Sequence, residues 1–240
     1  MALKEIVKLE EKFEGRENRY PFNIPSINNL SRLEIKSNVT FFVGENGSGK
    51  STLLEAIAYQ CQFNTAGGGR SNVYDLASSE SDLGDYIRLS WLPKINQGFF
   101  LRAESFYQFA NHIDDIAKEY PSVYDSYGGS SLHEQSHGEA FLSLFMNRFG
   151  RKGIYLLDEP EAALSPARQL TFLSIIHELQ KQAQFIIATH SPILLGYPNA
   201  DIYSFDDQAI RLVQYEETDH YQITRRFLEN RSIYLNELLN

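Results

Sequence analysis

Thr40-Phe41-Phe42-Val43-Gly44-Glu45-Asn46-Gly47-Ser48-Gly49-Lys50-Ser51 is the stretch that decides the fold. Thr40 to Val43 is a short apolar run that suits a strand covered on both faces of a mostly parallel sheet. The residues from Gly44 match the pattern G-x-x-x-x-G-K-[ST], and beyond Lys50 the residues Leu54, Ile57, Ala58 and Cys61 recur at helical spacing. Strand, glycine-rich turn and helix, in that order, form an anion cradle. Glycines let successive N–H groups turn toward a phosphate, and the helix N-terminus adds the positive end of its dipole. Lys50 would reach the β- and γ-phosphates, and the Ser51 hydroxyl would ligate Mg2+. The nucleotide-lining set expected from this stretch is Gly44, Glu45, Asn46, Gly47, Ser48, Gly49, Lys50, Ser51 and Thr52.

Two more apolar runs end in groups with chemistry. Ile154-Tyr155-Leu156-Leu157 leads into Asp158-Glu159, and Ile186-Ile187-Ala188-Thr189 leads into His190. Ser165-Pro166 supplies an N-cap and a first-turn proline for the helix between them, whose Phe172, Ile175, Ile176 and Leu179 share a face. One helical crossover between two such strands makes them parallel, which brings their C-terminal ends to the same edge as the phosphate loop. There Asp158 would hold the magnesium ion and Glu159 would polarise the attacking water. His190, as a neutral imidazole, would hydrogen-bond the γ-phosphate or that water.

The remaining chain bounds this picture. Its 240 residues, 42% apolar and 22% charged, make enough chain for one large α/β domain or two small ones and exclude disorder for the bulk. A net charge of -9 argues against a surface that coats nucleic acid without specificity. Cys61, the single cysteine, has no internal disulfide partner and sits on the apolar face of its helix, so a reducing compartment, the cytoplasm, is expected. No apolar run is long enough to span a membrane, and no signal peptide is expected. Ile6–Leu9 and Arg32–Lys36 read as half-exposed antiparallel strands, and residues 62–85, with three glycines beside Arg70, as a surface loop. Tyr86–Trp91 and Gly98–Glu104 read as two strands of a hairpin, and Ser105–Tyr120 and residues 139–149 as helices. Ile202–Phe205 and Ile210–Val213 read as a hairpin around Asp206-Asp207, and Ile223–Leu239 as one closing helix.

At these residues the sequence resembles the ATP-binding-cassette (ABC) superfamily of ATPases. Within it, residues 21–195 closely resemble small stand-alone bacterial ATPases of the AAA, ABC-like type, relatives of the SMC and double-strand-break-repair ATPase heads. Four segments carry the resemblance: Phe42–Glu55, Leu132–Glu139, Leu157–Pro166 and Ile187–Pro192. It implies an α/β P-loop NTPase with a RecA-like, mostly parallel sheet, an N-terminal antiparallel β segment and a helical lobe. Residues 1–240 would form a single ATPase domain, with 1–104 and 150–240 as the nucleotide-binding core and 105–149 as the lobe.

The resemblance also implies ATP and Mg2+, hydrolysis involving Lys50, Glu159 and His190, and an ATP-dependent head-to-tail homodimer with no membrane insertion. Ser136-His137-Gly138-Glu139 takes the place of the signature segment, whose Ser136 and Gly138 would contact the γ-phosphate held by the partner subunit. His137 and Glu139 depart there from the common transporter form. Leu164-Ser165-Pro166 falls at the D-loop. At the Q-loop, Glu104 replaces the usual glutamine and would touch the metal shell beside Ser51 and Asp158. Tyr20 and Phe22 are the candidates to stack on adenine. A role in DNA repair or genome defence, with DNA or a protein as partner, is the expectation. A transporter ATPase subunit and a nucleotide-gated interaction module, or toxin-antitoxin partner, in which ATP only sets dimerisation are the alternatives.

Overall fold

The computed structural model describes residues 2–64, 82–95, 97–134, 137–148 and 152–239. Its strands are β1 (Leu3–Lys8), β2 (Arg32–Glu34), β3 (Val39–Val43), β4 (Ile87–Trp91), β5 (Gly98–Arg102), β6 (Ile154–Asp158), β7 (Gln184–Ala188), β8 (Asp201–Ser204) and β9 (Arg211–Val213). Its helices are α1 (Glu10–Phe13), α2 (Pro25–Asn28), α3 (Lys50–Gln60), α4 (Phe106–Glu119), α5 (His137–Arg148), α6 (Pro166–Leu179), α7 (Pro192–Leu195), α8 (Asp219–Glu229) and α9 (Arg231–Leu239).

Six strands form the main sheet in the order β5-β6-β7-β3-β8-β9. All its pairings are parallel except that of β9, which runs antiparallel to β8. The period-2 alternation of strand side chains explains why the runs noted above are apolar throughout. Phe41, Leu157, Phe185 and Ile187 face one core, together with Phe106, Phe109, Phe141, Phe145 and Phe172 from α4, α5 and α6. Phe42, Leu156, Ile186 and Ala188 face the other, together with Leu53, Leu54 and Ile57 of α3 and Leu3, Ile6 and Leu33 of the second sheet. That second sheet is antiparallel, in the order β2-β1-β4. Cys61 is buried in this core.

The α/β P-loop fold and the N-terminal antiparallel segment follow the sequence. Three local expectations need correction. β4 and β5 do not pair as a hairpin: β4 joins β1 in the small sheet, and β5 becomes the edge strand beside β6. Phe99, Phe100 and Leu101 are buried on alternating faces, which suits a strand inside a three-layer stack better than one in a hairpin. The closing helix is two helices, broken at Asn230 where φ is -134° and ψ is 41°. Ser165 does stand at the N-cap of α6 with Pro166 behind it, but its side chain makes no capping hydrogen bond. The expected loop at 62–85 lies largely outside the described residues, which resume in a short 3-10 turn at Asp82–Tyr86.

Candidate nucleotide site

Parallel order places five strand ends on one edge. β3 runs into the phosphate loop, β6 ends at Asp158, β7 leads to His190, β5 ends at Arg102 opposite Asp158, and β8 leads to Asp206. The loop from Gly44 turns into α3 through Gly49, whose φ of 102° is left-handed. A Cβ there would also stand 2.9 Å from Ser26 Oγ, so glycine is required twice over. Ser26 Oγ in turn donates to the Ser48 carbonyl oxygen, and the Glu45 N–H donates to Asp206 Oδ1 at 3.0 Å. The sequence marks Asp206 only as a turn residue; in the fold it pins the entrance of the phosphate loop.

Lys50 is buried and folds back over its own loop, donating to the carbonyl oxygens of Gly44 (2.6 Å) and Glu45 (3.0 Å). An ammonium group has three donors, so one remains for a phosphate. Burial lowers the Lys50 pKa, and the carboxylates of Glu159, Asp158, Asp206 and Glu45 pull it back up. Among the described residues Ser48 Oγ is buried without a hydrogen-bond partner, so a phosphate oxygen there would satisfy it.

Ser51 Oγ donates to Asp158 Oδ1 at 2.9 Å, which joins the phosphate loop to the carboxylate strand. Burial pushes the Asp158 carboxyl up to about 6, against the opposing effects of Arg102 and of the Ser51 hydrogen bond. No cluster of three or more His, Cys, Asp or Glu suited to a metal ion occurs among the described residues. A hydroxyl and one buried carboxylate fit Mg2+, which commonly takes one or two protein ligands and completes its shell with water and substrate phosphates.

Glu104 stands further out. Its side chain is 81% exposed, and Arg102 lies between it and Asp158. Arg102 reaches three acids: Glu55 through Nη1 at 2.5 Å, Asp158 through Nε at 3.5 Å and Glu104 through Nη2 at 3.5 Å. Arg102 and Glu55 were not legible as site residues. A β-strand arginine is unremarkable until the register sets it beside a buried carboxylate.

Glu159 adopts a left-handed backbone (φ 51°, ψ 50°), a sparsely populated conformation for a non-glycine residue. Its carboxylate Oε1 stands 3.4 Å from His190 Nε2. His190 is held by its backbone N–H, which donates to Glu161 Oε1 at 2.6 Å, and by its ring, whose Nδ1 lies 2.8 Å from His220 Nε2. Burial, aided by Lys50 and His220, lowers the His190 pKa, while Glu159 and Glu45 act to raise it. Gln169 on α6 connects the D-loop segment to the histidine strand: its Nε2 donates to the Leu164 carbonyl oxygen at 3.0 Å, and its Oε1 accepts from Ser191 Oγ at 2.5 Å. Glu161, Gln169 and His220 were all missed, because each becomes a site residue only through a tertiary contact.

Of the aromatic candidates, Phe22 is buried edge-on against Phe13 and Tyr86, whereas Tyr20 is 64% exposed with its hydroxyl 3.5 Å from Thr52 Oγ1. Tyr20 is therefore the aromatic ring free beside the phosphate loop. In the signature segment, Ser136 lies outside the described residues, as does Arg70 of the expected loop. Gly138 is buried in the first turn of α5, where a side chain would collide with the Arg168 guanidinium, itself paired with Glu139 at 3.1 Å. The absence of a Cβ at Gly138 thus admits Arg168.

A phosphate loop, a carboxylate strand and a histidine strand on one edge of this strand order define a P-loop NTPase with the ABC ATPase fold. Residues 22–119 match the AAA domain family, and residues 132–196 match a second one described as "AAA domain, putative AbiEii toxin, Type IV TA system". Among curated proteins, the chain is 26% identical over 193 residues to the phosphate import ATP-binding protein PstB of Colwellia psychrerythraea, covering 69% of this chain and 67% of that one. Among solved structures it is similar to a nucleotide-free ATP-binding cassette from an ABC transporter, with a TM-score of 0.52 and 17% identity over 98% of this chain and 99% of that one. The SMC head domain from Thermotoga maritima overlays with a TM-score of 0.49 and 18% identity, covering 89% and 99% of the two chains. The fold is that of ABC ATPases, and the curated relative it resembles is an ATP-binding protein. No helix among the described residues is long and apolar enough to cross a membrane.

Proposed function

We propose that the protein binds ATP with Mg2+ and hydrolyses it, as one cytoplasmic ATPase domain that pairs head to tail with a second copy when ATP is bound. The hydrogen bond from Ser51 to Asp158 carries this reading, because it sets a hydroxyl and a buried carboxylate side by side at the end of the phosphate loop. Ser51 and Asp158 would hold the metal ion, with Glu104 at the outer edge of its shell. The ion, when bound, supplies charge neutralisation at the β- and γ-phosphates. The rest falls to the chain. Lys50 places its remaining donor on the phosphates, and Gly47 to Thr52 present backbone N–H groups to them. Glu159 accepts the proton of the attacking water or holds that water in line, and His190 donates from Nε2 to the γ-phosphate. Ser136 and Gly138 of the partner subunit would close over the same phosphate.

Glu159→Gln is the test. The amide fills the same volume but cannot accept a proton, so ATP binding should persist while turnover drops by roughly 10²–10⁴-fold, the range for general-base loss. The stalled protein should accumulate as a dimer in light scattering with ATP and Mg2+. Retained turnover would remove Glu159 from the mechanism, and a variant that stays monomeric at tens of micromolar, an order-of-magnitude choice, would count against the shared site.

For the process that turnover drives, our reading is genome defence or DNA repair, and the AbiEii description over residues 132–196 supports the first of these over membrane transport. With a net charge of -9, nucleotide-free protein should bind random duplex only weakly at physiological salt. Pull-down from native cells distinguishes the readings: DNA-processing or small antitoxin-like partners support them, and membrane permeases would overturn them in favour of a transporter subunit.

A further inference from the structure

His220 belongs to none of the three strands that build the site. It sits in the first turn of α8, well after the last strand of the main sheet, yet its Nε2 lies 2.8 Å from His190 Nδ1, with ring centroids 5.0 Å apart. Two imidazole nitrogens at that distance require one N–H and one bare lone pair. The other side of His190 decides which is which. Its Nε2 is buried, makes no hydrogen bond among the described residues, and lies 3.4 Å from Glu159 Oε1. A carboxylate and a phosphate oxygen are acceptors only, so a useful Nε2 must carry the hydrogen. In a neutral imidazole Nδ1 is then bare, and His220 Nε2–H must be the donor.

We propose that His220 is a positioning residue that holds His190 as the Nε2–H tautomer with its ring turned toward Glu159 and the γ-phosphate. This rests on the ATPase reading of the site.

The support of α8 is consistent with such a task. Thr218 caps the helix through Oγ1, and Tyr215 OH donates at 2.9 Å to the carbonyl oxygen of Pro192, two residues beyond His190. The helix that carries His220 is thereby tied to the loop that carries His190. His220 also lines a polar cleft with Asp206, Asp219 and Val43, the last residue before the phosphate loop. Among the described residues, the charged and titratable groups that face the pair include Glu45 and Lys50 from the phosphate loop, Glu159 and Glu161 beyond β6, and Asp206, Asp207, Arg211, Glu217 and Asp219 on the side of His220. Burial, Lys50 and His220 keep His190 below its ordinary pKa, so the neutral ring, the form that has tautomers, prevails at pH 7.

The experiment uses full-length protein and two variants. In ¹⁵N-labelled nucleotide-free protein, the long-range imidazole spectrum should show His190 as a single Nε2–H tautomer, and His220→Ala should convert it to an exchanging mixture. In steady-state kinetics His220→Ala should lower kcat by roughly tenfold with KM for ATP unchanged, the size of effect seen when the outer partner of a functional histidine is removed. His220→Gln, whose amide N–H can still donate to Nδ1, should restore both the tautomer and most of kcat, and it remains informative if the alanine variant does not fold. A His190 that is Nδ1–H in the wild type, or a His220→Ala protein with unchanged tautomer and kcat, overturns the proposal. So does a folded His220→Gln protein that rescues neither. If the wild type hydrolyses no ATP, the reading of the site fails instead, and the tautomer spectrum still decides on the pair.

Discussion

The edge of the central strands and the tail from Tyr215 to Leu239 are built on opposite terms, though they meet at one pair of imidazoles. β3, β6 and β7 are buried at every residue, and the groups they deliver are fixed by packing on both sides. α8 and α9 bury no residue, and leave Ile223, Leu228, Ile233, Leu238 and Leu239 more than half exposed. Rigidity at the site therefore comes from the sheet, while the tail contributes through a few directed hydrogen bonds at Thr218, Tyr215 and His220. Burial and functional reach are separable: a segment that adds little to the core can still set the state of a residue in the site.

The contrast would be broken most forcefully through the core behind the sheet edge. Phe172→Ala empties a fully buried ring position between Phe141 and Phe145, and should cost about 3–5 kcal/mol in denaturant unfolding. A loss below about 1 kcal/mol would mean the layer under the site is looser than its packing.

Within the site, the buried Asp158 makes stability depend on pH. Its pKa is raised on folding, so between the ordinary value of 3.8 and about 6 the folded state binds more protons than the unfolded one. The Asp158 contribution to stability therefore falls as pH rises through that window. Relative to Asp158→Asn, nucleotide-free wild type should lose about 2 kcal/mol between pH 4 and pH 7, at 1.36 kcal/mol per pKa unit. A flat difference between the two unfolding curves would show that Arg102 fully compensates the buried charge.

Lys50→Ala should leave unfolding close to wild type and weaken ATP binding on the order of a hundredfold, the worth of a charge-assisted hydrogen bond, by calorimetric titration. Wild-type affinity in the folded variant would remove Lys50 from the site. At the small end, Leu228→Ser and Leu238→Ser in the tail, 73% and 74% exposed, should each shift stability by no more than about 0.5 kcal/mol. A larger loss would reveal that the tail packs in solution against something beyond this chain.

The elements whose signals are local were legible in the residues alone. Gly44 to Ser51 announces the phosphate loop because a tight anion-binding turn needs glycines at fixed offsets before a helix. Apolar runs that end in Asp158-Glu159 and in His190 announce buried parallel strands because only two-sided burial tolerates such continuous hydrophobicity. Tertiary structure alone decided the rest. β4 leaves β5 for the small sheet, since whether two adjacent strands pair depends on which faces remain uncovered, and no local pattern records that. Arg102 reaches Asp158 by register between strands some fifty residues apart, Glu161 and Gln169 act through bonds across loops, and His220 reaches His190 from a helix thirty positions on. A hydrogen-bonding side chain has no periodicity, and its role is written only in the position of the atom that it meets.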